Sequence, residues 1–220
     1  MRLVQTLRHC RRNTGDLDIL EVGCGAGFAA EYLSGFYRSY TGIDHSEELI
    51  RYATFKHTHS NVTFYAQDFY QFSPPHPYHL IFMIGVLHHM PDIPATVKKC
   101  CSLIKPGGML IVNEPHSANM VLHTFRKIRT KIDRAYSDEQ EELTEVELTS
   151  LFRQAGLTRV NCLPQGFFST PFAEVIIQPQ ILSNIFSRCA CSLDAVLERL
   201  PYNVLKKISW NIIVQGEKKA

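Results

Sequence analysis

The 220-residue sequence lacks the features of a membrane-spanning, disordered or nucleic-acid-coating protein. No run of about 20 apolar residues occurs, so no segment is predicted to span a bilayer. With 23 basic and 21 acidic residues the net charge is only +2, far from the basic excess of a protein that coats nucleic acid. Hydrophobic residues make up 45% of the chain, which is too apolar for a disordered protein. The composition predicts a soluble protein with a full-sized core.

The seven cysteines lack the spacing of a structural metal site. No CxxC pair occurs; Cys100 and Cys101 are adjacent, and Cys189 and Cys191 are separated by one residue. Neither spacing suits zinc, and a chain of this length does not need disulfides to fold. The first 12 residues also lack the apolar centre of a secretory signal. We therefore expect no metal site and reduced, mostly buried thiols in a cytoplasmic protein.

The first half of the chain alternates short apolar runs with longer amphipathic stretches. Near-continuous apolarity predicts strands buried on both faces, as in a parallel sheet, at 18–22, 39–43, 62–66, 80–84 and 109–113. Apolar residues at helical spacing predict helices at 28–36, 46–57 and 93–104, and Lys105-Pro106-Gly107-Gly108 predicts a turn. This alternation predicts an α/β, doubly wound, Rossmann-like fold.

The second half predicts a helix at 145–155, a strand at 158–163 and a last strand at 209–215 that ends at Gly216. We expect one domain over 1–220, with helical insertions at about 115–145 and 164–207. The first insertion contains a basic amphipathic stretch at 120–134 and an acidic run at 138–147. We interpret the insertions as helical lids packed on the domain. A peripheral membrane contact, a dimer contact and the wall of an apolar acceptor pocket remain as alternatives.

The segment LEVGCGAG at 20–27 has the composition of a ligand-binding turn. Gly23, Gly25 and Gly27 follow a predicted strand and precede a predicted helix, where missing side chains let a ligand approach the backbone. The G-x-G-x-G spacing lacks the two-residue step of the dinucleotide fingerprint. Glu21 favours a cationic ammonium or sulfonium ligand, because a pyrophosphate would be repelled by a carboxylate. The turn therefore disfavours a nicotinamide-dependent oxidoreductase.

Two further acidic residues follow predicted strands. Asp44 ends the second strand, where a carboxylate can accept hydrogen bonds from both hydroxyls of a ribose. Asp68 follows the third strand and can accept a hydrogen bond from an exocyclic amine, while Phe69 can lie beside a purine. These residues suit a ligand with a ribose, an adenine and a cationic amino-acid end.

The chain resembles the class I S-adenosylmethionine-dependent methyltransferases of the small-molecule type. The matching motifs, in order, are LEVGCGAG at 20–27, TGID at 41–44, AQDF at 66–69, GVLHHMPD at 85–92 and LIKPGGMLIVNEP at 103–115. The resemblance implies a seven-stranded sheet whose last strand is antiparallel and lies between the fifth and sixth. It also implies that S-adenosylmethionine is the cofactor.

The resemblance also assigns cofactor contacts. The glycine turn and the backbone near Gly85 hold the methionine portion, Asp44 binds the ribose and His45 packs on the adenine face. The implied cofactor-binding residues are Glu21, Gly23, Gly25, Gly27, Asp44, His45, Asp68, Phe69 and Gly85.

Methyl transfer requires mainly positioning and exclusion of water, and a base only when the acceptor must lose a proton. His89 is the predicted base by resemblance and His88 the second candidate; packing under the next helix is the alternative role of both. Glu114 and His116 are predicted to line the acceptor pocket.

The predicted function is methyl transfer to a small, hydrophobic acceptor at O, N or C. The alternative is a non-catalytic methyltransferase-like binding or partner subunit. Nucleic acid is disfavoured as a substrate because no Asn-Pro-Pro-Tyr-like motif follows the fourth strand.

Overall fold

A computed structural model describes residues 15–116, 143–167, 180–197 and 199–220. Its strands are β1 Asp18–Val22, β2 Ser39–Asp44, β3 Val62–Ala66, β4 Tyr78–Ile84, β5 Ile104–Pro115, β6 Leu157–Gln165 and β7 Asn211–Lys218. Its helices are α1 Phe28–Tyr32, α2 Glu47–Lys56, α3 Ile93–Leu103, α4 Glu145–Gln154, α5 Gln180–Leu197 and α6 Tyr202–Ile208. Two 3₁₀ turns span Phe69–Gln71 and Leu87–His89. The basic stretch at 120–134 and the first half of the acidic run, 138–142, lie outside the described residues, so their predicted roles stay predictions.

The seven strands form one sheet in the order β3-β2-β1-β4-β5-β7-β6. Strands β1 to β5 pair in parallel, whereas β7 is antiparallel to both β5 and β6. The predicted Rossmann-like sheet is confirmed, including the antiparallel last strand between the fifth and the sixth. The strand order reverses between β1 and β4, which is where open α/β sheets bind ligands at the carboxyl ends of their strands.

The central strands are buried on both faces. In β4, Ile81 packs in a cluster with Val97 of α3 and Phe152 of α4, while the next residue, Phe82, packs in a second cluster with Ala30 of α1. Successive side chains of a strand point to opposite faces, so a strand with both faces covered must be apolar at nearly every position. This burial explains the continuous apolar run that identified β4 in the sequence.

Side chains cap the starts of two helices. The Ser46 side chain accepts a hydrogen bond from the Leu49 amide at 3.4 Å, at the start of α2. At the start of α4, Thr144 and Glu147 form a reciprocal capping box. These caps satisfy backbone donors that have no partner within the helix.

Three predicted boundaries are wrong. The helix predicted at 28–36 ends at Tyr32. The turn predicted at 105–108 belongs to β5, which pairs Ile104 with Tyr78 before its register shifts, and Gly107 takes a φ of 69° at this irregularity. The last strand does not end at Gly216 but continues to Lys218. A Cβ at Gly216 would lie 3.0 Å from Leu157, so glycine here permits close packing of β7 within the sheet.

No helix within the described ranges is long and apolar enough to cross a membrane. The six described cysteines are free thiols, and the buried ones are Cys24, Cys100 and Cys101. Burial raises the pKa of Cys101 to about 11, so this thiol is protonated and poorly nucleophilic at neutral pH.

Candidate cofactor and acceptor site

The carboxyl edge of the sheet brings together the predicted ligand-binding residues of β1, β2 and β4. Glu21 lies opposite Gly42 of β2 and Phe82 of β4 in the strand register. Gly85 follows β4, and its amide donates a hydrogen bond to the Asn113 carbonyl at 2.7 Å. Parallel pairing thus gathers on one edge residues that are far apart in the sequence.

The glycine turn needs glycine for conformation at all three positions and for packing at two of them. Gly23, Gly25 and Gly27 have φ values of 75°, 51° and 74°, a region that disfavours residues with a side chain. A Cβ at Gly23 would overlap the Val86 side chain, and one at Gly27 would lie 2.8 Å from Phe64. At Gly25 the nearest atom would be 4.0 Å away. The turn is therefore packed against the protein at its ends and leaves space at its centre.

Glu21 is a buried carboxyl group beneath this turn. It is 6% exposed, and its Oε2 accepts a hydrogen bond from the hydroxyl of Tyr40, another buried side chain. Burial raises the pKa of Glu21 to about 8, opposed by the Tyr40 hydrogen bond and reinforced by the nearby Asp44 carboxylate. In the absence of a ligand Glu21 is therefore mostly protonated at neutral pH, and a cationic ligand group would favour its ionised form.

Asp44 joins the glycine turn to the start of α2. Its two carboxylate oxygens accept hydrogen bonds from the amides of Gly25 at 2.8 Å and Ser46 at 2.9 Å. A carboxylate has about four acceptor positions, so both oxygens retain capacity for further donors. The His45 side chain is 92% exposed, and its Nδ1 lies 3.5 Å from Asp44 Oδ1.

Asp68 and Phe69 occupy different environments despite being adjacent. Asp68 caps the 3₁₀ turn after β3 by accepting a hydrogen bond from the Tyr70 amide at 2.9 Å. The Phe69 ring is 4% exposed and packs in the core, with Lys99 Nζ 5.2 Å from the ring centroid. Asp68 is therefore exposed after β3, whereas the Phe69 ring is buried in the core.

His88 and Glu114 form a hydrogen-bonded pair at the ends of β4 and β5. Glu114 is fully buried, and its Oε1 accepts hydrogen bonds from the amides of Val86 at 3.1 Å and Leu87 at 2.8 Å. Its Oε2 is hydrogen-bonded to Nδ1 of His88, whose side chain is 11% exposed. The carboxylate thus fixes both the 3₁₀ turn and the imidazole of His88.

His89 lacks such support. Its residue is exposed, and its ring lies beside that of His88 with centroids 3.9 Å apart and planes inclined at 42°. The pKa of His89 is lowered, mainly by burial and secondly by the neighbouring His88. In the part of the chain that the structure describes, no residue hydrogen-bonds the His89 ring, so its orientation is less restricted than that of His88.

His116 is anchored to the start of β7. It is 3% exposed, its Nδ1 lies 3.1 Å from Ser209 Oγ, and its amide donates to the Trp210 carbonyl at 2.8 Å. Burial lowers the pKa of His116. A neutral imidazole at this position can line a pocket without introducing a charge.

Sequence reasoning missed a group of buried amides on the same edge. Asn113 donates from Nδ2 to Gln165 Oε1 at 2.6 Å, and Asn211 pairs with Gln165 in the register of β6 and β7. All three residues are less than 9% exposed. A polar residue inside an otherwise apolar strand, as Asn113 is in MLIVN, was the signal that could have identified this group.

Comparison with known sequences identifies related proteins. A family model described as a methyltransferase domain matches residues 2–161. A ubiquinone biosynthesis O-methyltransferase of Nitrosospira multiformis is 28% identical over 165 residues, which cover 71% of this chain and 68% of that protein. Another from Thiobacillus denitrificans is 27% identical over 147 residues, which cover 63% of each protein. The chain thus spans about two thirds of the length of these relatives.

Solved structures with the same fold include two N-methyltransferases. NodS from Bradyrhizobium japonicum has a TM-score of 0.64 and 17% identity, and the alignment covers 100% of this chain and 95% of NodS. Phosphoethanolamine N-methyltransferase 2 from Haemonchus contortus, in complex with S-adenosyl-L-methionine, has a TM-score of 0.69 and 14% identity, with 100% and 52% covered. At these identities the likeness establishes the fold alone.

Proposed function

The chain belongs to the family of methyltransferase domains, and we propose that it transfers the methyl group of S-adenosylmethionine to a hydroxyl oxygen of a small acceptor. The family and the cofactor predicted from the sequence are confirmed. The observation that supports an oxygen acceptor is the His88–Glu114 pair, because a hydroxyl must lose its proton on methylation. Two relatives named as O-methyltransferases also support this choice.

The residues at the edge fit S-adenosylmethionine. The open centre of the turn at Gly25 admits the methionine portion close to the backbone, and Glu21 provides a carboxyl group for its ammonium. The free acceptor positions of Asp44 suit the two ribose hydroxyls, and Asp68 suits the adenine amine. A Cβ at Gly85 would meet no atom within 4 Å, so space is also open beside β4. When bound, the cofactor supplies a methyl group on a positively charged sulfur.

We assign the role of general base to His88. Glu114 binds Nδ1, which selects the tautomer with hydrogen on Nδ1 and leaves Nε2 to accept the proton of the acceptor hydroxyl. The buried carboxylate then stabilises the imidazolium that results. The hydroxyl oxygen forms the new bond to the methyl carbon as the bond from that carbon to sulfur breaks. His89, the base predicted by resemblance, remains the competing candidate because it lies beside His88.

The buried groups on β5 favour an acceptor that is partly polar. His116 and the Asn113–Gln165 pair lie on the same edge of the sheet as the His88–Glu114 pair. Side-chain amides can bind an acceptor oxygen that is not methylated. We propose a small aromatic acceptor with at least one hydroxyl group, in a cytoplasmic enzyme. Much of the two insertions that we predict to close the pocket lies outside the described residues.

The test is a product assay with acceptors that differ only in the reacting atom. Purified protein with S-adenosylmethionine is offered catechols, phenols and the corresponding anilines, and products are identified by mass spectrometry. We expect methyl ethers and no N-methyl products. N-methyl products would overturn the oxygen acceptor. Cofactor binding without turnover of any acceptor would instead favour the non-catalytic binding subunit.

The raised pKa of Glu21 predicts pH-dependent cofactor binding. Below a pKa of about 8 the carboxyl group is mostly protonated, and binding of a cationic amino acid end must release that proton. The affinity for S-adenosylmethionine should therefore rise with pH, approaching about tenfold per pH unit between about pH 5.5 and 7. Calorimetry in buffers of different ionisation enthalpy measures both the affinity and the released proton.

The matched variants for this measurement are Glu21→Gln and Glu31→Gln. Glu31 is exposed and pairs with Lys56, so its replacement should leave the pH slope unchanged. Glu21→Gln should weaken binding and abolish both the slope and the proton release. A slope that persists in Glu21→Gln would contradict the assignment.

A further inference from the structure

A cavity of about 640 Å³ is lined by residues from the amino ends of β1 and β2 to the carboxyl end of β3. Its lining includes Asp18 and Ser39, which begin β1 and β2, and the segment 71–78 that leads into β4. The volume is within the range of about 300–1,000 Å³ that is typical of small-molecule sites. Asp18 precedes Glu21 by three residues, or about 10 Å of strand, so the part of the cavity at Asp18 lies away from the carboxyl-edge site, although Tyr65 and Gln67 at the end of β3 also line the cavity.

One end of the cavity contains two cations around a single carboxylate. Asp18 accepts hydrogen bonds from Arg38 Nε at 3.0 Å, Lys105 Nζ at 2.7 Å and Ser39 Oγ at 2.8 Å. Burial raises the pKa of Asp18, but the hydrogen bonds from Arg38 and Lys105 outweigh it and hold that pKa well below its usual range. Asp18 is thus ionised, and among the charged residues that line the cavity the two cations, Arg38 and Lys105, outnumber the one carboxylate.

Arg38 is available to a ligand. Its contacts with Asp18 use Nε and Nη2, which leaves Nη1 for a second anionic partner. Its side chain is 61% exposed, whereas that of Lys105 is 26% exposed. A guanidinium can bind two carboxylates at once because it has five donors in a planar arrangement.

The rest of the lining mixes aromatic and proline rings with polar side chains. The residue Tyr65 is 43% exposed, and its ring lies 5.6 Å from that of Phe72. Pro74, Pro75 and Pro77, whose rings restrict the backbone, also line the cavity. The exposed Tyr65 ring and the proline rings offer surfaces against which a planar ring can pack.

We propose that this cavity binds a small aromatic carboxylate, with the carboxylate on Arg38 and Lys105 and the ring between Tyr65 and the prolines. The ligand is bound in addition to the cofactor and the acceptor. Charge-assisted hydrogen bonds orient the carboxylate, and the planar walls select an aromatic over a branched aliphatic body.

The test is titration with benzoate, observed by ¹H–¹⁵N NMR in protein saturated with S-adenosylhomocysteine. We expect amide shifts at 38–41 and 65–78, and binding at least about tenfold weaker for benzamide, which lacks the charge. Arg38→Gln and Lys105→Gln should each weaken benzoate binding by about tenfold. Arg159→Gln is the matched control, because Arg159 forms a similar exposed ion pair with Glu217 at 2.8 Å, and it should leave the affinity unchanged.

Three results would overturn the proposal. One is a set of shifts confined to the carboxyl edge around His88, which would place benzoate in the acceptor site. Another is an affinity that neither Arg38→Gln nor Lys105→Gln alters. The third is inorganic phosphate or cyclohexanecarboxylate binding as well as benzoate, which would leave a general anion patch without aromatic selectivity.

Discussion

Replacing His88 by Asn should lower kcat by about 10²- to 10⁴-fold, the usual contribution of a positioned general base. Asn retains a polar group at the end of β4 but cannot accept the proton of a hydroxyl at neutral pH. The Kd for S-adenosylmethionine should be nearly unchanged, because the proposed cofactor contacts lie on or after β1, β2 and β3, and the one after β4 is made by the backbone at Gly85 rather than by the His88 side chain. Kinetics with a methylated acceptor and calorimetry with the cofactor measure the two quantities separately.

Two further variants distinguish the proposed base, His88, from the adjacent His89 and from its hydrogen-bond partner Glu114. His89→Asn should change kcat only slightly, because the His89 ring has no fixing hydrogen bond among the described residues. Glu114→Gln should lower kcat by about tenfold or more. Its amide would donate to Nδ1 of His88, which favours the tautomer with hydrogen on Nε2 and blocks proton acceptance.

The pH profile distinguishes positioning from a structural role of Glu114. If Glu114 positions the base, Glu114→Gln should shift the pH dependence of kcat that reports the histidine, with cofactor affinity retained. A loss of kcat in His89→Asn with full activity in His88→Asn would instead identify His89 as the base. In that outcome the His88–Glu114 pair only fixes the 3₁₀ turn.

Replacing Asp44 by Ala should raise the Kd for S-adenosylmethionine by about 100-fold or more. Each hydrogen bond to a charged acceptor contributes about 1.5–3 kcal/mol, and two ribose hydroxyls are proposed to donate to Asp44. The substitution also removes the acceptor for the Gly25 and Ser46 amides, which loosens the glycine turn that is proposed to hold the methionine portion. Equilibrium binding of the cofactor measures this loss directly.

Asp92→Ala is the matched control for this substitution. Asp92 likewise accepts a hydrogen bond from a backbone amide at a helix start, that of Ala95 at 2.8 Å. Both variants should lose about 0.5–2 kcal/mol of stability through the missing cap, but only Asp44→Ala should lose cofactor affinity. Equal Kd values for the two variants would refute the ribose assignment.

Comparison of particular elements shows why some predictions held and others did not. The runs DILEV and LIFMI identified β1 and β4 because a strand buried on both faces has an apolar sequence signature of its own. The Lys105-Pro106-Gly107-Gly108 segment looked like a turn because proline and glycine usually end a helix. It is instead the irregular start of β5, and only pairing with β4 accommodates it.

The residues of the candidate site also differ in whether the sequence alone identifies them. The glycine turn and Asp44 were identifiable because their conformational and charge requirements are expressed within a few adjacent residues. The pairing of His88 with Glu114 joins positions 26 residues apart, and that of Asp18 with Lys105 joins positions 87 apart. Neither pair is marked by a pattern of adjacent residues, because each depends on which strand ends the folded sheet brings together.

By itself, the sequence determined the class of fold and the cofactor, and it located the turn that we propose binds it, because strand burial, positive φ angles and ligand charge select residue types locally. The tertiary structure decided which histidine is supported by a buried carboxylate, that the Phe69 ring belongs to the core, and that a cavity extends from the amino ends of β1 and β2 to the carboxyl end of β3. These features depend on burial and on contacts between distant segments, and both are properties of the packed sheet and of no single stretch of the chain.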